Sequence, residues 1–322
     1  MRAREAGDTM GTHSGPGDGR CDPSLSVIMS ERRQLINLAY RLLGSLVEAE
    51  DAVQETYARW YAMSPQQQEA IESPGAWLSK VASRICLNVL ASARARRESY
   101  VGEWLPEPLP ESTDWIIGRP AGTTSDPAEQ VTLDESISMA FLVVLESLTP
   151  AERVAFILHD VFGYSFAEVA AIVDRTPAAC RQLASSARRR IRASQAPATP
   201  TARQAGIVRD FKQAWEAKDI GALIGLLDPS ATLTGDAGGG PFAAAVRPIE
   251  GGQQVARYLA AIAHATPGNV IRLERTVNGQ PGLVAERDGL TVAVYAFDIA
   301  GDQITRIWAI LNPDKLRPWA TA

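Results

Sequence analysis

Three clusters of side chains in this chain have the types and spacing to do chemistry, and in each case that chemistry is non-covalent. The first lies on 177–192. At 3.6 residues per turn, Cys180, Leu183, Ala184, Ala187 and Ile191 fall on one side of a helix, and Arg181, Gln182, Ser185, Arg188, Arg189 and Arg192 fall on the other. An Arg or Gln near the start of such a helix can read a base edge in the major groove, and arginines further along can neutralise phosphates. The second cluster lies on 75–97, where Lys80, Arg84 and Arg94 point away from the apolar set Trp77, Leu78, Val81, Ile85 and Val89, and Arg96 and Arg97 add charge at the end. Aromatic residues beside a basic helix can stack unpaired bases, although Trp77 also fits a core position, and the terminal arginines also suit the negative end of a helix dipole. The third lies on 47–61, where Glu48, Asp51 and Glu55 oppose Val53, Tyr57 and Trp60. An acidic stripe repels DNA. It fits a docking surface for a basic protein partner or a solvated helix face, and spacing alone leaves both open.

The elements that must position these groups can be read from their punctuation. Ser165 followed by Glu168 is a capping box and starts a helix over 166–173; Thr176 then caps a second helix whose first residue is Pro177. Two helices joined by so short a turn make a helix-turn-helix, with Asp174 at the turn position where glycine is common. Thr149 and Glu152 form another capping box and open a helix over 150–161; its His159 reads as a structural residue. Further helical periodicity covers 30–43, 47–61, 75–97 and 127–146.

Charge is distributed in blocks. The net charge of the 322 residues is −5, yet 79–97 carries five basic residues and no acid, and 174–192 carries six arginines against Asp174. Between them, 98–131 holds seven acids, five prolines and only Arg119 as a base, the composition of an extended tether. Cys21, Cys86 and Cys180 are odd in number and in no metal spacing, which implies reduced thiols and a cytoplasmic protein without a metal site. No apolar run approaches the length of a membrane span, and no secretory signal is evident.

These signals divide the chain into a disordered tail at 1–29, with Met29 as an alternative start, a helical module at 30–97, the acidic tether at 98–131, the helix-turn-helix module at 132–192, a linker at 193–203 and a final domain at 204–322. In the last, helices over 204–218, 222–227 and 252–264 alternate with strand patterns near 231–234, 270–277, 282–287, 290–298 and 303–311. This predicts helices on one face of a curved antiparallel sheet, an α+β domain of a kind that often encloses a pocket.

An acidic helix, a basic helix, a tether and a helix-turn-helix in this order resemble the sigma factors of the extracytoplasmic-function group, which keep two all-α domains called sigma-2 and sigma-4. AEDAVQETYARW at 49–60 resembles the segment that docks on the clamp helices of RNA polymerase core, which implicates Asp51, Gln54 and Glu55. The stretch 75–97 resembles the segment that captures the melted minus 10 element of promoter DNA, and Asn88 stands where the family commonly has Asp. The stretch 148–191 resembles the minus 35 reader. The final domain resembles cone-shaped SnoaL-like folds, and one subgroup of these sigma factors carries such an extension as a fused regulator. The subgroup's WLPEP motif is present at 104–108 (Trp104, Leu105, Pro106) and its NPDKL motif at 312–316 (Asn312, Pro313, Asp314, Lys315, Leu316); its glycine-rich DGGGK motif appears as Asp236-Ala237-Gly238-Gly239-Gly240-Pro241, without the lysine. The resemblance implies no catalysis and no cofactor, and its motifs predict a tether packed against the NPDKL segment; the tether's own net charge of −6 predicts that it runs through a basic channel of the polymerase, mimicking nucleic acid.

Two rival readings stand beside it. In one, the chain is a ligand-responsive helix-turn-helix regulator that binds duplex DNA without docking on polymerase, its last domain holding a small molecule. In the other, that domain is an enzyme using Asp236, His264 or Asp298 as a general base, although no spacing joins these three into a dyad.

Overall fold

A computed structural model of the chain describes residues 23–97, 103–113, 137–194, 199–238, 248–265 and 268–320. The first module comprises α1 (Pro23–Leu43), α2 (Leu46–Tyr61), the single turn α3 (Pro65–Glu69) and α4 (Pro74–Arg97). Helix α1 begins at Pro23 and runs through Met29, where the tail was expected to reach 29; proline at the first helical position was the signal passed over. Residues 1–22 lie outside the described residues.

The helix-turn-helix module comprises α5 (Met139–Glu146), α6 (Pro150–Phe156), which continues as a π-helical turn at Ile157–Val161, then α7 (Phe166–Val173) and α8 (Pro177–Ser194). Both capping boxes form as their spacing requires, Thr149 with Glu152 and Ser165 with Glu168. Asp174 closes α7 with φ 54°, the left-handed conformation that the tight turn demands. Helix α5 is capped by Ser138; the expected extension of this helix back to 127 falls on 127–136, outside the described residues.

In the last domain, α9 (Thr201–Glu216), α10 (Ile220–Leu226) and α11 (Gly252–Ala265) accompany, among the described residues, six strands: β1 (Leu227–Asp236), β2 (Ile249–Glu250), β3 (Val270–Val277), β4 (Gln280–Arg287), β5 (Leu290–Ala300) and β6 (Gln303–Ile310). Their order in the sheet is β2-β1-β6-β5-β4-β3. The sheet is mixed, not antiparallel as expected, because β1 and β6 run parallel with Leu233 opposite Ile307. Neighbouring strands that are distant in the chain leave no local sequence signal of their direction.

Both faces of this sheet are buried, and the side-chain alternation shows how. Leu283, Ala285, Ala293, Tyr295, Phe297, Ile307 and Ala309 face the helices. Their neighbours Val284, Val294, Ala296, Trp308 and Ile310 face Leu105 of the tether, Met139 of α5, and Leu316 and Trp319 near the C-terminus. Inside the cone, Phe211 meets Phe297 at 5.3 Å between ring centroids and Trp215 meets Tyr295 at 5.1 Å, edge to face. Such pairs add about 0.5–1.5 kcal/mol each beyond area burial. These rings pack between the helices and the sheet, and a cleft of about 690 Å³ lies between α5, α8 and the outer face of the sheet.

The two helical modules share one continuous buried cluster, from Leu35 and Tyr40 of α1 through Ile85 and Cys86 of α4 to Val154, Val169 and Ile191. The tether residues 103–113 run between the modules and the last domain, with Pro110 bridging Val277 at the end of β3.

Candidate nucleic-acid interface

Helix α8 buries Cys180, Ala184, Ala187 and Ile191 and leaves Arg181, Gln182, Ser185, Arg189 and Arg192 exposed. The open face is the one the periodicity marks out, and Arg181 lies 5.7 Å from the ring of Phe166. Arg188 is held differently. Its Nε donates to Asp160 Oδ1 at 2.5 Å, and the Asp160 side chain is only 4% exposed, so this arginine braces α8 against the π-helical turn. A π turn adds a residue to the helical ring and re-aims the chain beyond it, and here it carries Asp160. In the same turn His159 Nδ1 bonds Tyr164 O at 2.7 Å and its ring stacks on Phe166 at 3.8 Å, a structural role.

On α4, Lys80, Arg84 and Asn88 are exposed, and Trp77 packs edge to face on Trp60 at 5.3 Å. Arg84 Nη2 donates to Ala171 O of α7 at 2.8 Å, a bond between the two modules. The side chains of Arg94, Arg96 and Arg97 lie outside the described residues. On α2, Asp51, Gln54 and Glu55 are exposed while Ala49, Ala52, Val53 and Thr56 are buried. Glu55 pairs with Arg59 one turn on at 2.5 Å; both side chains are half exposed, so the pair contributes a few tenths of a kcal/mol and leaves the face acidic.

The tether and the NPDKL segment meet around one buried ion pair. Lys315 Nζ donates to Asp236 Oδ2 at 2.6 Å and also to Leu105 O, and it stands 4.1 Å from the centroid of the Trp104 ring. Asp236 further accepts from Leu105 N at 3.0 Å and Gly238 N at 3.1 Å. Gly238 has φ +69°, and a Cβ there would lie 2.5 Å from Asn312, which explains glycine at this place in the altered motif; 239–247 lie outside the described residues. Asn312 turns inward and its Oδ1 accepts from Asp314 N at 3.0 Å; Leu316 is buried, and Pro313 and Asp314 are exposed. Pro106 and Pro108 are buried, and Pro108 O accepts from Trp319 Nε1 at 2.9 Å.

One further tether residue of consequence is one that sequence reading missed. Glu107 accepts from Leu46 N at 2.8 Å and Ser45 Oγ at 3.1 Å, so it caps the N-terminus of α2 from outside the helix. Burial pushes its carboxyl above the usual range, opposed by those bonds and by Lys315, and its Oε1 is buried without a hydrogen-bond partner. The three groups weighed for catalysis are engaged elsewhere: Asp236 with Lys315, Asp298 with Arg306 at 2.8 Å, and His264 Nδ1 with Ala260 O at 2.8 Å. Among the described residues no helix is long and apolar enough to cross a membrane, and no group of His, Cys, Asp and Glu is placed to hold a metal ion.

Comparison with known proteins agrees with this geometry. Residues 27–96 match Sigma-70 region 2 and residues 138–191 match Sigma-70, region 4. The chain is 37% identical over 299 residues to the ECF RNA polymerase sigma factor SigJ of Mycobacterium tuberculosis, covering 88% of this chain and 90% of that protein. It is 32% identical over 298 residues to the probable ECF RNA polymerase sigma factor SigI of the same species, covering 92% and 96%. The crystal structure of SigJ superposes with a TM-score of 0.70 at 31% identity, covering 91% of this chain and 98% of that one. Two sigma-70 regions in order, and relatives of this identity along almost the whole length, show that the chain belongs to the ECF RNA polymerase sigma factors, non-enzymatic proteins that bind core polymerase and direct promoter-specific initiation of transcription.

Proposed function

We propose that the work of initiation is divided among three helices. The acidic face of α2, with Asp51, Gln54 and Glu55, docks on the clamp helices of the polymerase. Helix α4, through Lys80, Arg84 and Asn88 with Arg94, Arg96 and Arg97 at its end, holds the separated strands at the minus 10 element. Helix α8 enters the major groove at minus 35, where Arg181, Gln182 and Ser185 face the bases and Arg189 faces phosphate, while Arg188 holds the helix in place. The observation that carries this reading is that α2 and α8 each bury their apolar side in the common core and present their charged side outward. The C-terminal domain modulates this activity through its grip on the tether at Trp104, Leu105 and Pro106, with Asp236 and Lys315 at the centre of the contact.

Run-off transcription with purified core polymerase tests the proposal. The full chain should yield a discrete transcript from a selected promoter, and a truncation after Arg192 should change its amount. No transcript from the full chain, or one unaffected by both Asp51→Arg and Arg181→Ala, overturns it.

A further inference from the structure

The cleft of about 690 Å³ beside the sheet has no part in the contacts assigned to promoter or polymerase. Its volume falls within the roughly 300–1,000 Å³ of clefts that hold drug-sized molecules. One wall is α5 with the end of α8, and the other is the outer face of β5 with the start of β4. Small side chains beside larger neighbours keep it open: α5 contributes Ala140, and β5 contributes Ala296.

The lining divides by chemistry. Met139, Phe141, Val144, Ile191 and Val277 supply an apolar surface, and all five are buried apart from what they show to the cleft. The polar groups form a hydrogen-bonded set. Arg306 Nε donates to Asp298 Oδ2 at 2.9 Å, and its Nη2 donates to Ser194 O at 2.8 Å. Thr199 Oγ1 donates to Ile299 O at 3.2 Å, and Gln204 Nε2 to Thr199 O at 3.0 Å. These bonds hold the polar groups in place before any molecule arrives, which lowers the ordering cost of binding. They also decide its charge. Asp298 and Arg306 are the only charged side chains in the lining and they neutralise each other, so an ionic molecule finds no unpaired counter-ion here. Thr201 and Gln280 add a hydroxyl and an amide to the wall.

We propose that this cleft binds a neutral, largely apolar small molecule that carries hydrogen-bonding groups at one end. The bound molecule touches Ile191 and Ser194 of α8 as well as the sheet, so its binding is linked to the placement of α8 against the C-terminal domain. The site stands whichever DNA element α8 reads.

Two fluorescent probes with one apolar body and different charge test this on the full chain: N-phenyl-1-naphthylamine is neutral, and its 8-sulfonate is an anion. The neutral amine should bind saturably, and the sulfonate should bind at least about tenfold more weakly, because its charge is buried without a counter-ion. Ala140→Trp fills the cleft from α5 and Gln280→Trp fills it from β4; each should weaken binding of the neutral probe about tenfold or more. Leu290→Ala, at an exposed leucine that does not line the cleft, should leave the titration unchanged. Each variant is first checked for a parent-like melting transition, and because the two filling substitutions sit on different elements, failure of one to fold leaves the other as the test. No saturable binding of the neutral amine, binding unaltered in the folded filling variants, or binding lost in Leu290→Ala overturns the site. Equal or tighter binding of the sulfonate overturns the neutral class of ligand.

Discussion

The Asp236–Lys315 pair gives the sharpest expectation for how the C-terminal domain holds the tether. The Asp236 side chain has no exposed surface and that of Lys315 is 11% exposed. Replacing Asp236 by Ala takes the carboxylate from the ammonium and leaves Leu105 O and the Trp104 ring beside it. Removing one partner of a buried pair costs about 3–5 kcal/mol, and the remaining carbonyl and ring place this case near 3 kcal/mol. Lys315→Met should cost a similar amount, because it strands a buried carboxylate with the backbone N–H groups of Leu105 and Gly238. The double variant should cost about 1 kcal/mol, since removing both charges leaves neither unpaired. Hydrogen exchange of the tether peptide reads this directly: the Leu109 amide, bonded to Asn278, should exchange about 100-fold faster in each single variant and less than about 10-fold faster in the double. Single variants within twofold of the parent, or a double variant that costs as much as the two singles summed, would refute the reasoning.

Substitutions on α8 should separate reading from holding. Arg181→Ala or Gln182→Ala should relax base preference in the minus 35 region by about 1–3 kcal/mol per contacted base, measured with the polymerase complex on promoter variants. Arg189→Ala should weaken all sequences alike and reduce the log–log salt slope by about 1. Arg188→Ala should instead lower the stability of the module by about 3 kcal/mol in thermal unfolding, because it leaves Asp160 buried without its arginine; an unchanged melting curve contradicts that role. For Glu107, burial makes the docked carboxyl hold its proton more tightly than the exposed one does. Tether docking should therefore strengthen as pH falls from above the raised value toward the ordinary carboxylate range and level off below it. Exchange of the same tether peptide, corrected for intrinsic rate, should show this slope in the parent and lose it in Glu107→Gln.

Local signals made the helices legible. Capping boxes at Ser165 and Thr149 fix their helix starts because the bonds involved lie within four residues, and the α8 periodicity separates Cys180 and Ile191 from Arg181 and Gln182 for the same reason. The features that stayed hidden in the sequence depend on distant partners. The parallel pairing of β1 with β6, the capping of α2 by Glu107 and the bracing of Arg188 by Asp160 join residues 28 or more positions apart. Asn278 could have been flagged, since Asn-Gly between two strand patterns announces a hairpin with positive φ; its bonds to Tyr40, Leu109 and Ile137 could not. The run from Val292 to Phe297 is apolar at every position, which signals a strand buried on both faces, and the structure covers one face with helices and the other with the tether and α5.

The central claim is that this chain selects promoters only as part of the polymerase. Binding of a labelled promoter duplex by the full chain, measured with and without purified core enzyme at one fixed salt concentration, tests it most directly. The account predicts a sequence-specific, strand-separated complex only when core is present; tight sequence-specific binding by the chain alone, unchanged on adding core, would contradict it.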